Sequence, residues 1–202
     1  MKLILLTSTE FFIEEDKILT TLFEEGLDVL HLRKPGSEPV YCERLLTLIP
    51  QQYHGRIVVH DHFYLKDEFG LMGIHLSRRH PDLPQDYRGP VSRTCYSLQE
   101  VAQYRGQCQY IFLRNVFDSI SEPENVASFT SQELHDAMRS GLIGRDVMAE
   151  GGISLENMPL VRDMGFGGAV VRGDLWKRFN IHSGCDFKEV IAHFRRLRKA
   201  SS

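Results

Sequence analysis

The segments Val29-Leu30-His31-Leu32-Arg33 and Arg56-Ile57-Val58-Val59-His60-Asp61 decide the fold of this chain. Each is a short apolar run that ends in polar residues, and neither alternates cleanly between apolar and polar positions. Such continuous apolar runs are typical of parallel strands that are covered by helices on both faces. Between the two segments, residues 40–49 carry leucine and isoleucine at helical spacing. The pattern therefore predicts a strand–helix–strand unit.

The same unit recurs along the whole chain. The other apolar runs are Leu3–Leu6, Gly73–Leu76, Val91–Cys95, Tyr110–Phe117, Asp146–Ala149 and Gly168–Val171. Helices are predicted at residues 13–23, 63–69, 97–104, 131–138, from 154 onwards and at 187–198, whereas residues 78–88 show no helical pattern. Eight β/α units in 202 residues predict an α/β fold, a short (β/α)8 TIM barrel. A doubly wound open sheet is the alternative.

Composition excludes several functional classes. The 24 Lys and Arg residues nearly balance the 27 Asp and Glu residues, giving a net charge of −3, which argues against a nucleic-acid-binding surface or a polybasic membrane anchor. No apolar run approaches the roughly 18 residues of a membrane helix. The four cysteines form no C-x-x-C pair, so we expect reduced thiols in a cytoplasmic protein. The sequence predicts a single domain over residues 1–202 that acts on small molecules, and a homo-oligomer is compatible with it.

Charged and polar side chains collect where the predicted strands end. In a barrel, these ends form the face that carries the chemistry. Its cations are Arg33, Lys34, Arg78, Arg79, Arg114 and Arg172, and its carboxylates are Asp61, Asp118 and Glu150. Because guanidinium and ammonium groups bind phosphate oxygens well, this surplus of cations predicts an anionic small-molecule ligand.

Glycines follow the seventh and eighth predicted strands. Gly151 and Gly152 lead into a helix, and Gly173 repeats the arrangement one strand later. Backbone N–H groups at such positions favour anions, and many barrels bind phosphate in these two loops. At the end of strand three, Asp61 lies between His60 and His62. Asp61 is predicted to hold Mg²⁺ against a diphosphate, and a zinc site formed by the two imidazoles is the alternative.

Together these motifs resemble the thiamine phosphate synthase and thiazole tautomerase family. Leu30–Lys34 resembles the family's L-Q-L-R-x-K, His60-Asp61 falls on its N-D pair, and Gly73–Leu76 resembles G-V-H-L. Thr94–Glu100 resembles S-x-H-S-x-E-E, and residues 110–121 stand where the family has D-Y-x-x-x-G-P-x-F-x-T-x-T-K. Glu150–Ile153 matches A-I-G-G-I, and Gly165–Gly168 matches G-A-D-G.

The resemblance implies a TIM barrel that takes part in making vitamin B1. Synthases of this family join an aminopyrimidine methyl diphosphate to thiazole phosphate and release pyrophosphate, with Mg²⁺ as cofactor. The residues implied as catalytic are Arg33, Lys34, Thr94, Ser119 and Ser121, and the implied metal ligand is Asp61. The residues implied to bind substrate are His31, His60, Asn115, Gly151, Gly152 and Gly173.

Four positions depart from the synthase motifs. The lysine of L-Q-L-R-x-K falls on Pro35, with Lys34 one place early. The asparagine before the metal-binding aspartate is His60, and the second metal-binding aspartate falls on His80, although Asp82 is near. The lysine after the hydroxyl pair is Glu122, a reversal of charge where a diphosphate should lie. From the sequence we expect Glu122→Lys together with His80→Asp to raise the rate of thiamine phosphate formation.

Two other functions stay open at this point. Thiazole tautomerases move a proton on thiazole phosphate and often have histidine at the position of His31, but Asn115 stands where they use a second histidine. A non-catalytic protein that binds thiazole phosphate would lose both signatures. An assay of the products from each substrate set separates the three.

Overall fold

Eight parallel strands close into a barrel in the computed structural model, which describes residues 1–179 and 187–202. The strands are β1 (Lys2–Leu6), β2 (Val29–Leu32), β3 (Ile57–Val59), β4 (Gly73–Leu76), β5 (Val91–Cys95), β6 (Tyr110–Arg114), β7 (Val147–Glu150) and β8 (Gly168–Val171). They follow one another in sequence order, and β8 pairs with β1, where Lys2 lies opposite Gly168. The barrel predicted from the apolar runs is therefore confirmed, and the open sheet is wrong.

The helices surround the barrel. They are α1 (Glu15–Glu24), α2 (Pro39–Leu48), α3 (Leu65–Glu68), α4 (Leu98–Tyr104), α5 (Ser131–Arg139), α6 (Met158–Asp163), α7 (Gly173–Trp176) and α8 (Lys188–Ser201). Residues 77–90, all of them described, form no helix between β4 and β5, as predicted. Within the described ranges, no helix is long and apolar enough to cross a membrane.

Two predicted boundaries, after β6 and after β7, are wrong, and local contacts explain both. Strand β6 ends at Arg114 rather than at residue 117, because Asn115 adopts a left-handed φ of 65°. The helix after β7 begins at Met158 rather than at residue 154, because the Asn157 side chain bonds both the Ser154 N–H and the Gly152 carbonyl, each at 2.8 Å, and holds a turn. The short helix α7 was not predicted.

The three described cysteines agree with the expectation of free thiols. Cys42 and Cys95 are buried, Cys108 is half-buried, and each is unbridged. Cys185 lies outside the described residues.

Every second side chain along each strand points into the barrel interior, and we call these positions the inward parity. The apolar ones are buried and form a cluster of their own: Ile4, Leu6, Val29, Val58, Tyr110, Phe112, Met148 and Val170. Residues of the other parity, such as Leu3 and Leu30, pack against the helices. Because side chains alternate along a strand, residues of the inward parity at the carboxyl ends reach the mouth of the barrel. Arg33, Arg114, Glu150 and Arg172 have this parity.

Candidate functional site

A carboxylate holds two guanidinium groups at the mouth of the barrel. Glu122, in the loop after β6, accepts hydrogen bonds from Arg114 at 3.2 Å and from Arg172 at 2.7 Å. The Asn125 amide donates to the same carboxylate at 2.6 Å. Burial acts to raise the pKa of Glu122, but the hydrogen bond and charge of Arg172 outweigh it, and the pKa is lowered. Glu122 is therefore a charged anchor that fixes two cations at the mouth.

Two further ionisable side chains at the mouth, Glu150 and Arg33, have hydrogen-bonding atoms without a partner among the described residues. Glu150 lies opposite Arg114 in the register of β6 and β7, and its Oε2 atom is buried without a hydrogen-bond partner. Burial raises the pKa of Glu150, while the nearby charge of Arg114 opposes the rise. The Arg33 guanidinium forms no hydrogen bond or ion pair with any residue that the structure describes, and burial together with the charge of Arg172 lowers its pKa. Buried charged groups without partners are costly, so both are suited to a polar ligand.

The loops after β6, β7 and β8 form one wall of a pocket beside these charges. Its predicted site residues are Asn115, Ser119, Ser121, Gly151, Gly152 and Gly173. Gly152 has a φ of 64°, and a Cβ at this position would collide with the carbonyl oxygen of Asp118. A Cβ at Gly151 would lie 2.8 Å from the Asn115 Cα. The glycines are therefore required for the close approach of these loops.

Hydroxyl groups in the same wall are bonded to the mouth cluster. Ser121 Oγ accepts a hydrogen bond from Arg172 at 2.6 Å. Ser119 Oγ accepts one from the backbone N–H of Glu122 at 3.1 Å. The structure thus brings both predicted hydroxyls next to the guanidinium cluster.

Asp61 follows strand β3, and its carboxylate contacts two side chains from the loop after β4. Its Oδ1 atom is 2.9 Å from His80 Nε2 and 3.5 Å from an Arg79 nitrogen. The carboxyl is mostly buried, with 13% of its side chain exposed. His62 turns away, and its Nε2 is bonded to the carbonyl oxygen of Ser37 at 2.9 Å. His60 and His62 therefore do not share a site, and the zinc alternative is wrong.

Below the mouth, the barrel interior contains hydrogen-bonded histidines and hydroxyl groups, of which the sequence predicted only half. His31 Nδ1 is 2.8 Å from His60 Nε2, and His31 Nε2 is 2.7 Å from the Tyr110 hydroxyl. His75 is bonded to the Ser92 hydroxyl at 2.8 Å and to the Thr94 hydroxyl at 2.7 Å. Only His31, His60 and Thr94 were predicted. The other three residues are His75, Ser92 and Tyr110. Their inward parity is the sequence signal that could have identified them.

The three imidazoles are buried and uncharged. Burial lowers the pKa of His31 to about 3, and it also lowers the pKa values of His60 and His75 well below the usual range. Ring nitrogens of all three lie within 4.8 Å of one another, close enough for a shared metal ion. However, the rings of His60 and His75 are stacked at 4.2 Å with an interplanar angle of 21°, so their nitrogen lone pairs do not converge. The geometry favours a hydrogen-bond network.

Comparison with known proteins assigns the barrel to a family. The family model described as thiamine monophosphate synthase matches residues 3–175, which include all of the barrel except the first residue of β1. The chain belongs to this family. Among curated protein sequences, none matches significantly.

Solved structures agree with the family. A thiamine phosphate pyrophosphorylase from Bacteroides thetaiotaomicron is 50% identical with a TM-score of 0.91, covering 100% of this chain and 98% of that one. A thiamine phosphate pyrophosphorylase from Pyrococcus furiosus is 18% identical with a TM-score of 0.77, covering 99% and 95%. A 3-hexulose-6-phosphate synthase is 16% identical with a TM-score of 0.65, covering 100% of both chains. The last two show likeness of fold alone.

Lys34 does not join the site of this family member. Its ammonium group forms an ion pair with Glu15 at 2.6 Å, donates to the Glu10 carbonyl at 2.8 Å and lies 4.4 Å from the centre of the Phe11 ring. Burial lowers the pKa of Lys34 and raises the pKa of Glu15 to about 7. Lys34 has the parity opposite to that of Arg33, so it points towards α1 instead of the mouth.

Proposed function

We propose that this protein is a thiamine phosphate synthase, which joins an aminopyrimidine methyl diphosphate to thiazole phosphate and releases pyrophosphate. The observation that carries the proposal is the cluster of Arg33, Arg114 and Arg172 at the mouth, where the Arg33 guanidinium has no partner among residues 1–179 and 187–202. Family membership and the 50% identical pyrophosphorylase support it. A thiazole phosphate alone does not call for three cations, whereas two phosphorylated substrates do.

The thiazole phosphate is proposed to bind in the wall formed by the loops after β6, β7 and β8. Gly152 and Gly173 line this pocket together with Ser119 and Ser121. Backbone N–H groups and small hydroxyls are good donors to phosphate oxygens, and they need no side-chain rearrangement. Arg172 lines the same pocket and supplies charge beside these donors.

The diphosphate is proposed to bind at Arg33, beside Arg114 and Arg172. The family's lysine at position 122 is replaced by glutamate, but the structure shows that this glutamate holds two arginines in place. The three guanidiniums outnumber the carboxylates of Glu122 and Glu150, so the mouth keeps a net positive charge. Arginine here takes the role that lysine has in the family motif, and the departure at Glu122 is compatible with diphosphate binding.

Mg²⁺ is proposed to bind at Asp61 together with diphosphate oxygens. Magnesium in such sites is usually held by one or two carboxylates plus substrate phosphates, so the single, mostly buried carboxylate of Asp61, just after β3, fits. His80, at the position of the family's second carboxylate, contacts the same oxygen and has to release it when the ion binds. When bound, Mg²⁺ would neutralise charge that develops on the departing pyrophosphate.

In this reaction, the bond between the pyrimidine methylene carbon and the diphosphate oxygen breaks, and its electron pair leaves with pyrophosphate. The thiazole nitrogen then forms the new C–N bond to the methylene carbon. Glu122 fixes Arg114 and Arg172 before the reaction, and together with Arg33 they stabilise the negative charge on the leaving group.

A product assay tests the proposal. The purified protein is incubated with the aminopyrimidine diphosphate and thiazole phosphate, with and without Mg²⁺, and thiamine phosphate is measured by chromatography. We expect thiamine phosphate and pyrophosphate in equal amounts, and only with Mg²⁺ present. In a parallel reaction that contains the thiazole phosphate tautomer instead, formation of aromatised thiazole phosphate without any thiamine phosphate in either reaction would show a tautomerase. Binding of thiazole phosphate without any product would show a non-catalytic binding protein.

A further inference from the structure

The turn after β4 carries a guanidinium group that the site described so far does not use. The Ser77 N–H donates to the His80 carbonyl and the His80 N–H donates to the Ser77 carbonyl, each at 3.1 Å. These two bonds close a tight turn whose central residues are Arg78 and Arg79. The Ser77 hydroxyl accepts a further bond from the Arg79 N–H at 3.3 Å. The backbone that carries the Arg78 side chain is therefore held in place.

The exposed side chain of Arg78 lies over the ring of Tyr96. Its guanidinium carbon is 3.7 Å from the centre of that ring, and the Tyr96 backbone is anchored by a 2.7 Å hydrogen bond from its N–H to the Glu100 carboxylate. A guanidinium over an aromatic face keeps the N–H donors in its own plane available to other partners. Within the described part of the chain, Arg78 forms no hydrogen bond or ion pair. Its donors are therefore open to a ligand.

The same turn links the proposed Mg²⁺ ligand to the arginine cluster. Arg79, the neighbour of Arg78 in the turn, lies 3.5 Å from the Asp61 carboxylate. The Tyr96 ring that Arg78 covers is also 5.9 Å from the guanidinium carbon of Arg114. A ligand that contacts both Asp61 and Arg114 therefore passes beside Arg78.

The diphosphate calls for more positive charge than the arginine cluster supplies. The three arginines of the mouth exceed the carboxylates of Glu122 and Glu150 by one charge, whereas a terminal phosphate alone carries about 1.5–2 negative charges near pH 7. The two lysines of the family motifs are absent, since Pro35 and Glu122 stand in their places. Arg78 supplies a further cation next to the same cluster.

We propose that Arg78, positioned by Tyr96, binds the diphosphate and completes its site between Asp61 and Arg114. The inference rests on the proposed function and adds a substrate-binding residue that lies outside the family's motifs. The planar guanidinium can donate two parallel hydrogen bonds to one phosphate group. The thiazole phosphate is assigned to loops that include the one after β8, which is four strands away from β4 in the barrel. Arg78 therefore serves the diphosphate and not the thiazole phosphate.

Calorimetry with inorganic pyrophosphate and Mg²⁺ tests this role without any organic substrate. We expect Arg78→Ala to weaken pyrophosphate binding by about tenfold or more, because a charge-assisted contact is lost, and to leave thiazole phosphate binding nearly unchanged. Arg78→Lys restores the charge but not the planar fork, so its affinity should be intermediate. Arg88→Ala is the matched control, because Arg88 is exposed in the same segment between β4 and β5 and its loss changes the net charge equally. This control should bind pyrophosphate as the unaltered protein does.

A double-mutant cycle tests the positioning by Tyr96. Tyr96→Leu removes the ring beneath Arg78, and we expect it to weaken pyrophosphate binding by about two- to fivefold, whereas Tyr96→Phe keeps the ring and should keep most of the affinity. In the Arg78→Ala background, Tyr96→Leu should have little further effect, because the two residues act as a unit. An equal loss in both backgrounds would overturn the positioning by Tyr96.

The outcomes separate this inference from the proposed function. Equal pyrophosphate affinity in the unaltered protein and in Arg78→Ala would overturn the inference and leave the proposed function standing. An equal loss in Arg78→Ala and Arg88→Ala would also overturn it, since net charge and not a contact would then be the cause. If the product assay shows no thiamine phosphate but Arg78→Ala still loses pyrophosphate affinity, the proposed function fails and the anion site at Arg78 stands. Absence of pyrophosphate binding in the unaltered protein would overturn the inference, and the product assay would then decide the function.

Discussion

The substitution Glu122→Lys separates the structural interpretation of the mouth from the one that the family motif favours. In the structure, the Glu122 carboxylate accepts charge-assisted hydrogen bonds from Arg172 at 2.7 Å and Arg114 at 3.2 Å. Such bonds contribute about 1.5–3 kcal/mol each. The three side chains are between 16% and 28% exposed. We therefore take the lower end of the range, about 3 kcal/mol for the two bonds, and halve it for solvent screening. About 1.5 kcal/mol of positioning energy would be lost, and the new ammonium would repel both guanidiniums.

We therefore expect Glu122→Lys to weaken binding of the aminopyrimidine diphosphate by at least about tenfold, since 1.4 kcal/mol corresponds to a factor of ten. The measurement is titration calorimetry, followed by steady-state kinetics of thiamine phosphate formation. Glu124→Lys is the matched control, because Glu124 is exposed in the same loop and undergoes the same change of charge. Tighter diphosphate binding or a faster rate in Glu122→Lys would refute the reasoning, and would restore the expectation drawn from the motif.

Four further predictions follow from the same geometry. Arg33→Ala should weaken diphosphate binding by about tenfold or more and leave thiazole phosphate binding nearly unchanged in calorimetry; equal losses would place Arg33 elsewhere in the site. Gly152→Val should abolish measurable thiazole phosphate binding, because its Cβ would collide with a backbone carbonyl, and unchanged affinity would remove the phosphate from this loop. Asp61→Ala should remove the Mg²⁺ dependence of the rate, and a variant with a normal Mg²⁺ titration would contradict the metal assignment. The pKa of Glu15 is raised to about 7 in the folded protein, so Glu15 binds a proton more tightly there than in the unfolded chain. Protonated Glu15 therefore stabilises the fold fully below about pH 4.5, and this stabilisation is lost as the pH rises through 7. The free energy of unfolding, measured with urea at several pH values, should fall over this range in the unaltered protein and fall less in Glu15→Gln. Equal pH dependence in the two proteins would contradict this prediction.

The barrel and the positions of its strand ends could be predicted because they depend on local pattern. The run Gly73–Leu76 matches β4 to the residue, since a strand buried on both faces has few polar interruptions. The predicted strand Val91–Cys95 also matches β5 to the residue, although Ser92, Arg93 and Thr94 are polar. The rule that strand ends carry the site placed Arg33, Asp61 and Gly152 at the mouth for the same reason.

The direction of individual side chains was harder to predict. Lys34 and Arg33 are neighbours in sequence, but strand alternation sends one outwards to Glu15 and the other to the mouth. The role of Glu122 depends on Arg172, which follows a different strand and lies fifty residues further along the chain. No local pattern contains such a contact, so the charge of Glu122 looked unfavourable until its partners were known.

The pairing of β1 with β8 has a consequence for synthesis on the ribosome. Lys2 pairs with Gly168, so the first strand leaves the exit tunnel long before its partner has been translated, by about 10–30 s at roughly 5–20 residues per second. During that interval the edge of β1 is an unsatisfied template for other extended chains. Arg172, emerging just after β8, completes the anion-binding mouth at the same time as the sheet closes. We therefore expect nascent chains stalled before residue 168 to require chaperones and to retain no affinity for phosphorylated ligands.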